Sequence, residues 1–210
     1  MIEVKGISKS LKKQMVLKNI SYTFEKGSIY GVRGINGAGK TMLLRAIAGL
    51  IKLDTGTIAI DGKYLNKDID FPESIGILIE NNNLLEEYSG MKNLQLLSKI
   101  KKKASQEDIK EIILEVGLDP DDTKIVRKYS LGMKQRLAIA QAFFETPDIV
   151  LLDEPTNAID EEGMSLVKKI MVKAKERGAT IIVTSHNYIE LKDISDQIIT
   201  MKEGEIIIDE

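Results

Sequence analysis

Eight consecutive residues, Gly34-Ile35-Asn36-Gly37-Ala38-Gly39-Lys40-Thr41, fit the spacing G-x-x-x-x-G-K-[ST]. Glycines let backbone N–H groups turn inward around a polyphosphate, where a Cβ would clash. Lys40 brings a positive charge for the β and γ phosphates, and Thr41 a hydroxyl for Mg²⁺. A second set lies downstream. Ile149-Val150-Leu151-Leu152 reads as an apolar strand, and Asp153-Glu154 puts two carboxylates at its tip. Beside a phosphate loop, Asp153 would bind Mg²⁺ directly or through water, an oxygen environment that suits this hard ion. Glu154 would orient or deprotonate an attacking water. The single histidine, His186, follows the apolar run 180–185. A lone histidine is usually structural or exposed; at a strand tip beside phosphate it can hydrogen-bond the γ-phosphate. Ser130 stands as an N-cap before a helical stretch over 131–144. With Gly132 it offers either a plain capped helix or an anion site at a helix N-terminus.

These groups need elements to hold them. Ser28-Ile29-Tyr30-Gly31-Val32 reads as a buried strand entering the glycine loop. Leu43, Leu44, Ala46, Ile47 and Ala48 form a helical apolar run after it, and Gly49 is a natural stop. The N-terminus of that helix adds roughly half a positive charge at the phosphates. Residues 2–7 and 16–24 alternate apolar and polar side chains, as half-buried strands do. A short strand at 56–60 closes on the turn pair Asp61-Gly62, and 75–79 is a further strand. In the middle third, Ser105 to Asp108 fits a capping box. Ile109, Ile112, Ile113 and Val116 follow at helical spacing up to Gly117. Lys101-Lys102-Lys103 ends the preceding helical stretch, where the helix dipole favours cations. Strands at 149–152, 180–183 and 197–201 then alternate with a helix whose face is Met164, Val167, Ile170, Met171 and Ala174. This β-α-β order predicts an α/β fold with a largely parallel sheet. A last strand is expected over 204–208.

Composition narrows the function classes. At 210 residues the chain is one globular unit, with room for an inserted subdomain. The 30 basic and 32 acidic residues give a formal net charge of -2, which argues against a nucleic-acid partner. Without cysteine there is no disulfide framework, thiolate zinc site or redox motif. One histidine removes multi-histidine metal sites. No apolar run reaches the roughly 18–20 residues that span a bilayer, and the N-terminus lacks a signal-peptide stretch. A cytoplasmic location is expected, with any membrane attachment supplied by another chain.

The motifs, in this order, resemble the nucleotide-binding subunit of ATP-binding cassette (ABC) transporters, from Met1 to about residue 208. Residues 34–41 match the phosphate loop, 129–133 the signature motif, and 149–154 the Walker B strand. Asn157-Ala158-Ile159-Asp160 matches the D-loop and His186 the switch histidine. The resemblance implies a P-loop NTPase core with a mostly parallel sheet and an N-terminal antiparallel β part, over about 1–81 and 146–210. A helical subdomain carrying the signature is inserted over about 82–145. It implies an ATPase using ATP with Mg²⁺, Glu154 and His186 being catalytic. Two such subunits would pair head to tail as a homo- or heterodimer. Each ATP would lie between residues 34–41 of one and Ser130, Leu131 and Gly132 of the other, with Asp160 coupling the sites. A separate transmembrane permease chain would hold the subunit at the inner face of the membrane.

Finer details are similar to exporters of bacitracin, lantibiotics and similar peptides. The signature reads Tyr129-Ser130-Leu131-Gly132-Met133, and Glu80 stands where most members have glutamine. That position makes Glu80 a third candidate metal ligand, with Thr41 and Asp153. The family pattern also places Met42 at the α-phosphate, where serine or threonine is common. Leu11 occupies the usual site of an adenine-stacking aromatic, which predicts weak base discrimination. The permease is expected to dock near Glu80, Asn81-Asn82-Asn83 and Tyr88-Ser89-Gly90. With Glu210 closing the chain, no regulatory C-terminal extension is expected. Two other readings remain: an ABC ATPase without a channel, as in iron–sulfur cluster assembly, and an importer subunit.

Overall fold

The structure, a computed structural model, describes residues 1–80 and 84–207. In chain order its elements are β1 (Ile2–Leu11), β2 (Gln14–Phe24), β3 (Ile29–Arg33), α1 (Lys40–Ile47), β4 (Thr55–Ile60), β5 (Lys63–Tyr64) and β6 (Ile75–Leu78). Then come α2 (Gly90–Lys101), α3 (Gln106–Glu115), a 3₁₀ turn at Val126–Lys128, and α4 (Leu131–Phe143). β7 (Ile149–Asp153), α5 (Glu161–Glu176), β8 (Thr180–Ser185), α6 (Tyr188–Ile194), β9 (Gln197–Lys202) and β10 (Glu205–Ile207) complete it. The strands form two sheets. One is antiparallel, in the order β2-β1-β4-β5; the other runs β10-β9-β3-β8-β7-β6, parallel except at β10.

The parallel sheet is covered on both faces, which is why its central strands are almost wholly apolar. Alternate residues serve alternate layers. Ile149, Leu151 and Ile182 pack with Leu43, Leu44 and Ile47 of α1 and with the inner face of the antiparallel sheet. Val150, Leu152, Ile181 and Val183 pack on the opposite side with Leu137 of α4 and Ile170 and Met171 of α5. Each such side chain contributes roughly 1.5–3 kcal/mol by leaving water. β6 meets α4 so closely that a Cβ on Gly76 would lie 1.8 Å from the Ala142 carbonyl oxygen. Only glycine fits there.

Between β6 and β7 the chain is helical. Ser89, Ser105 and Ser130 cap α2, α3 and α4 by accepting from Lys92, Asp108 and Met133 backbone N–H groups. Each cap is worth roughly 1 kcal/mol. The capping box at Ser105 and Asp108 forms as expected, and hydrogen bonds from Ser105 hold the Asp108 carboxyl below its ordinary range. The buried Tyr129 hydroxyl accepts from the Gly90 N–H, tying the starts of α2 and α4; burial raises its pKa.

Some expectations need adjustment. β1 continues past residue 7 to Leu11, and its hairpin turns on Lys12 and Lys13, both at positive φ. The short β5 and α6 add to the expected elements. The expected last strand over 204–208 is seen at Glu205–Ile207, and residue 208 lies outside the described residues, as do Asn81-Asn82-Asn83.

Candidate functional site

The carboxyl ends of β3, β6, β7 and β8 share one edge of the parallel sheet. Register sets this: Leu78 pairs with Leu152, Asp153 with Thr184, and Arg33 with Ser185. Ligands of open α/β sheets bind at such an edge. The glycine loop leaves β3 there and enters α1 directly. Gly39, at φ 102, is the N-cap of α1, and a Cβ on it would meet the Val16 carbonyl oxygen at 2.7 Å. Gly37 is also left-handed, at φ 82. Both positions need glycine to keep the loop tight and its N–H groups available.

Lys40 is buried, at 6% exposure. Its ammonium donates to the Gly34 carbonyl at 2.7 Å and approaches the Ile35 carbonyl at 3.4 Å. It also lies 3.2 Å from Glu154 Oε1, an ionic contact without hydrogen-bond alignment. Thr41 Oγ1 donates to Asp153 Oδ2 at 2.7 Å, and Thr184 Oγ1 donates to Asp153 Oδ1 at 2.6 Å. The Glu154 N–H is shared between Thr184 O and Oγ1, at 3.2 and 3.0 Å. This grip holds Glu154 at φ 50, a left-handed conformation that costs a non-glycine residue about 1–2 kcal/mol. Glu154 Oε2 meets His186 Nδ1 at 2.9 Å. Glu154 is mostly buried while His186 is 61% exposed, so the imidazole can reach outward from the carboxylate that holds it.

Phosphate loop, Asp153, Glu154 and His186 are thus brought together, in keeping with their sequence positions. The oxygens of Thr41 and Asp153 fit Mg²⁺. Among the described residues no three His, Cys, Asp or Glu side chains form a metal cage of their own. One carboxylate and one hydroxyl suit an ion shared with substrate phosphates. Glu80 is placed differently. It pairs with Arg45 Nη2 at 2.6 Å instead of joining the Thr41–Asp153–Thr184 hydrogen bonds. Met42 packs its side chain on the core around α1. Leu11 is 41% exposed at the tip of β1.

The remaining candidates lie on α4 and the loop after Glu154. Leu131 is 67% exposed, and a Cβ on Gly132 would come 2.9 Å from the Ala158 carbonyl oxygen. Gln135 Nε2 donates to the Pro155 carbonyl at 3.0 Å. The start of α4 therefore rests on the segment that follows Asp153 and Glu154. Asp160 caps α5, its Oδ1 accepting from Gly163 N at 2.9 Å. Motif spacing does not point to Thr184 or Gln135. Thr184 lies two residues before His186, but its role follows only from β7 and β8 being neighbours in register.

Comparison with known proteins fits this geometry. The family model "ABC transporter" matches residues 17–157. A relative in Bacillus subtilis (strain 168), "Uncharacterized ABC transporter ATP-binding protein YybJ", is 56% identical over 98% of this chain and 94% of its own. "Lantibiotic transport ATP-binding protein SrtF" of Streptococcus pyogenes is 32% identical over 100% and 90%; proteins named for bacitracin transport also match. Among solved structures, the cassette MJ0796 in a dimeric post-hydrolysis state bound to ADP and Pi aligns with a TM-score of 0.90 and 25% identity. That alignment covers 100% of this chain and 98% of the other. The chain belongs to the ABC transporter family and is an ATP-binding, ATP-hydrolysing subunit of a transporter.

Proposed function

We propose that this ATPase powers export of an antimicrobial peptide or similar cargo through a separate permease, which holds it at the inner face of the membrane. The observation that carries the reading is Lys40, Thr41, Asp153, Glu154 and His186 gathered at one sheet edge. The relatives named for lantibiotic and bacitracin transport support the cargo class. No helix among the described residues is long and apolar enough to cross a membrane, so the reading needs a second chain for passage.

The division of labour follows from the site. Residues 34–42 hold the phosphates, and Lys40 balances the charge of the β and γ groups. Thr41 and Asp153 hold Mg²⁺, which when bound neutralises charge developing on the phosphates. Glu154 orients and accepts a proton from the attacking water, and His186, fixed by Glu154, hydrogen-bonds the γ-phosphate. Ser130, Leu131 and Gly132 serve a nucleotide held by a second cassette, and Asp160 couples the two sites. Leu131 stands ready for such a contact, being apolar yet exposed. Glu80 serves Mg²⁺ in this reading by exchanging or sharing its Arg45 partner. Residues about 82–145 form the helical subdomain, and the rest the ATPase core.

The permease docks, in this reading, near Glu80 and Tyr88-Ser89-Gly90; a separate groove of about 190 Å³ lies between β6, the end of α2 and the end of α4. Ile77, Ile100, Lys101 and Lys103 line it. Gln141 Oε1 and Glu145 Oε1, also in its lining, are buried without a hydrogen-bond partner among the described residues.

Cells lacking the chain should become more sensitive to at least one cell-envelope peptide antibiotic, and the Glu154→Gln variant should fail to restore them. Unchanged inhibitory concentrations across a panel of such peptides would overturn the cargo class. Leu11 carries a separate expectation. Base stacking on an aromatic is worth roughly 1–3 kcal/mol, so its absence leaves ATP and GTP binding within about tenfold. A titration showing ATP more than tenfold tighter would contradict it.

A further inference from the structure

Glu190, on α6, lies outside the set assigned to phosphate or Mg²⁺. Its carboxylate nevertheless joins the two chain segments that carry the hydrolytic pair. Oε2 accepts from Thr156 Oγ1 at 2.9 Å and from Ser185 Oγ at 3.2 Å; Oε1 accepts from Asn187 Nδ2 at 2.9 Å. Thr156 is two residues beyond Glu154. Ser185 and Asn187 flank His186. The Asn187 N–H also donates to Ser185 Oγ at 3.0 Å, closing the turn around the histidine. Beyond the Glu154 N–H bonds to Thr184, side chains tie the two segments twice. In front, Glu154 Oε2 meets His186 Nδ1. Behind, the partly buried Glu190 bridges them with three hydrogen bonds.

All three donors are neutral, so the bonds to an ionised carboxylate are about twice as strong as neutral ones. The helix itself does not require this arrangement. Asn187 already caps α6, accepting from the Ile189 and Glu190 N–H groups. Without Glu190, the Glu154 and His186 side chains beyond the β7–β8 register would be held by the Glu154 N–H bonds to Thr184 and by their mutual contact. Glu154 is moreover held in a left-handed conformation that local preference does not favour. A misplacement of 1 Å at reacting groups can lower a rate by about 10²-fold.

We propose that Glu190 is a positioning residue for hydrolysis, setting the distance and orientation of Glu154 relative to His186 by bridging Thr156 to the His186 turn. This rests on the reading of Glu154 and His186 as the pair acting on water and γ-phosphate.

The test is steady-state Mg-ATP hydrolysis by the purified full chain and its variants, alongside thermal melting. In Glu190→Ala, kcat should fall about tenfold or more while KM for ATP stays within about twofold and the melting midpoint holds. Glu190→Gln keeps an acceptor oxygen for Thr156 and Ser185 and should retain most of kcat. Thr156→Val removes one arm of the bridge and should lose kcat without KM. Combined with Glu190→Ala it should cause no further loss, because both act through one contact. The proposal is overturned by a Glu190→Ala kcat within about twofold of the parent, by a loss confined to KM, or by additive losses in the double variant. Should Glu190→Ala fail to fold, the kcat and KM of Thr156→Val decide in its place by the same thresholds. Glu154→Gln, measured in parallel, separates the two levels. If it is inactive while the Glu190 and Thr156 variants are normal, only the bridge is refuted; if it is fully active, the hydrolytic pair falls and the bridge with it.

Discussion

Glu154→Gln should lower ATP turnover by about 10²–10⁴-fold, the range for losing a general base, while ATP still binds. Glutamine keeps the volume and one acceptor oxygen, so the contact to His186 Nδ1 at 2.9 Å can survive. It cannot take a proton from water. Binding should be undiminished for a reason visible in the chain without nucleotide. There Lys40 lies 3.2 Å from Glu154 Oε1, and the arriving phosphates must compete for that ammonium. Removing the carboxylate charge removes the competitor. Affinity should therefore hold or improve. Phosphate release and equilibrium nucleotide binding, measured on the same preparation, check both halves. Near-normal turnover would remove Glu154 from its role.

Lys40→Ala should act the other way, on binding itself. The ammonium is buried, held to the Gly34 carbonyl at 2.7 Å, and is the phosphate loop's own positive charge. A hydrogen bond to a charged group is worth about 1.5–3 kcal/mol, and each 1.4 kcal/mol is about tenfold in affinity. One or two such contacts with the β and γ phosphates place the loss at roughly 10–10⁴-fold in ATP affinity. A secondary effect falls on the protein alone: Glu154 Oε1 would lose its cation while remaining buried. Stability without nucleotide should drop slightly as well. A titration showing unchanged ATP affinity in a folded Lys40→Ala variant would contradict the assignment.

These two variants separate residues to which the sequence already points, and the reason is local. The phosphate loop needs its glycines, lysine and threonine within eight consecutive positions, so spacing alone carries the chemistry. Asp153 and Glu154 are legible because an apolar strand ends abruptly in two acids. Caps at Ser105 and Ser130 are likewise short-range, and both form. What escapes a sequence reading depends on strand order. Thr184 grips Asp153 and the Glu154 N–H only because β7 and β8 are parallel neighbours. Gln135 reaches the Pro155 carbonyl because α4 packs across the sheet edge. Glu80 also holds Arg45 of α1, a pairing across 35 residues that no periodicity reveals. Within this chain Ser130 caps α4 and Gly132 sits against Ala158; the role proposed for residues 130–132 at a second chain's nucleotide is not encoded in one sequence.

The most direct measurement is a pull-down of tagged Glu154→Gln protein from native cells with ATP in mild detergent, read by mass spectrometry. The variant keeps nucleotide without turning it over, so complexes that depend on bound ATP persist. A polytopic membrane protein recovered in near-stoichiometric yield is the expected result. Its topology would separate exporter from importer. Recovery of soluble proteins alone would contradict coupling to a permease and favour an ABC ATPase that works without a channel.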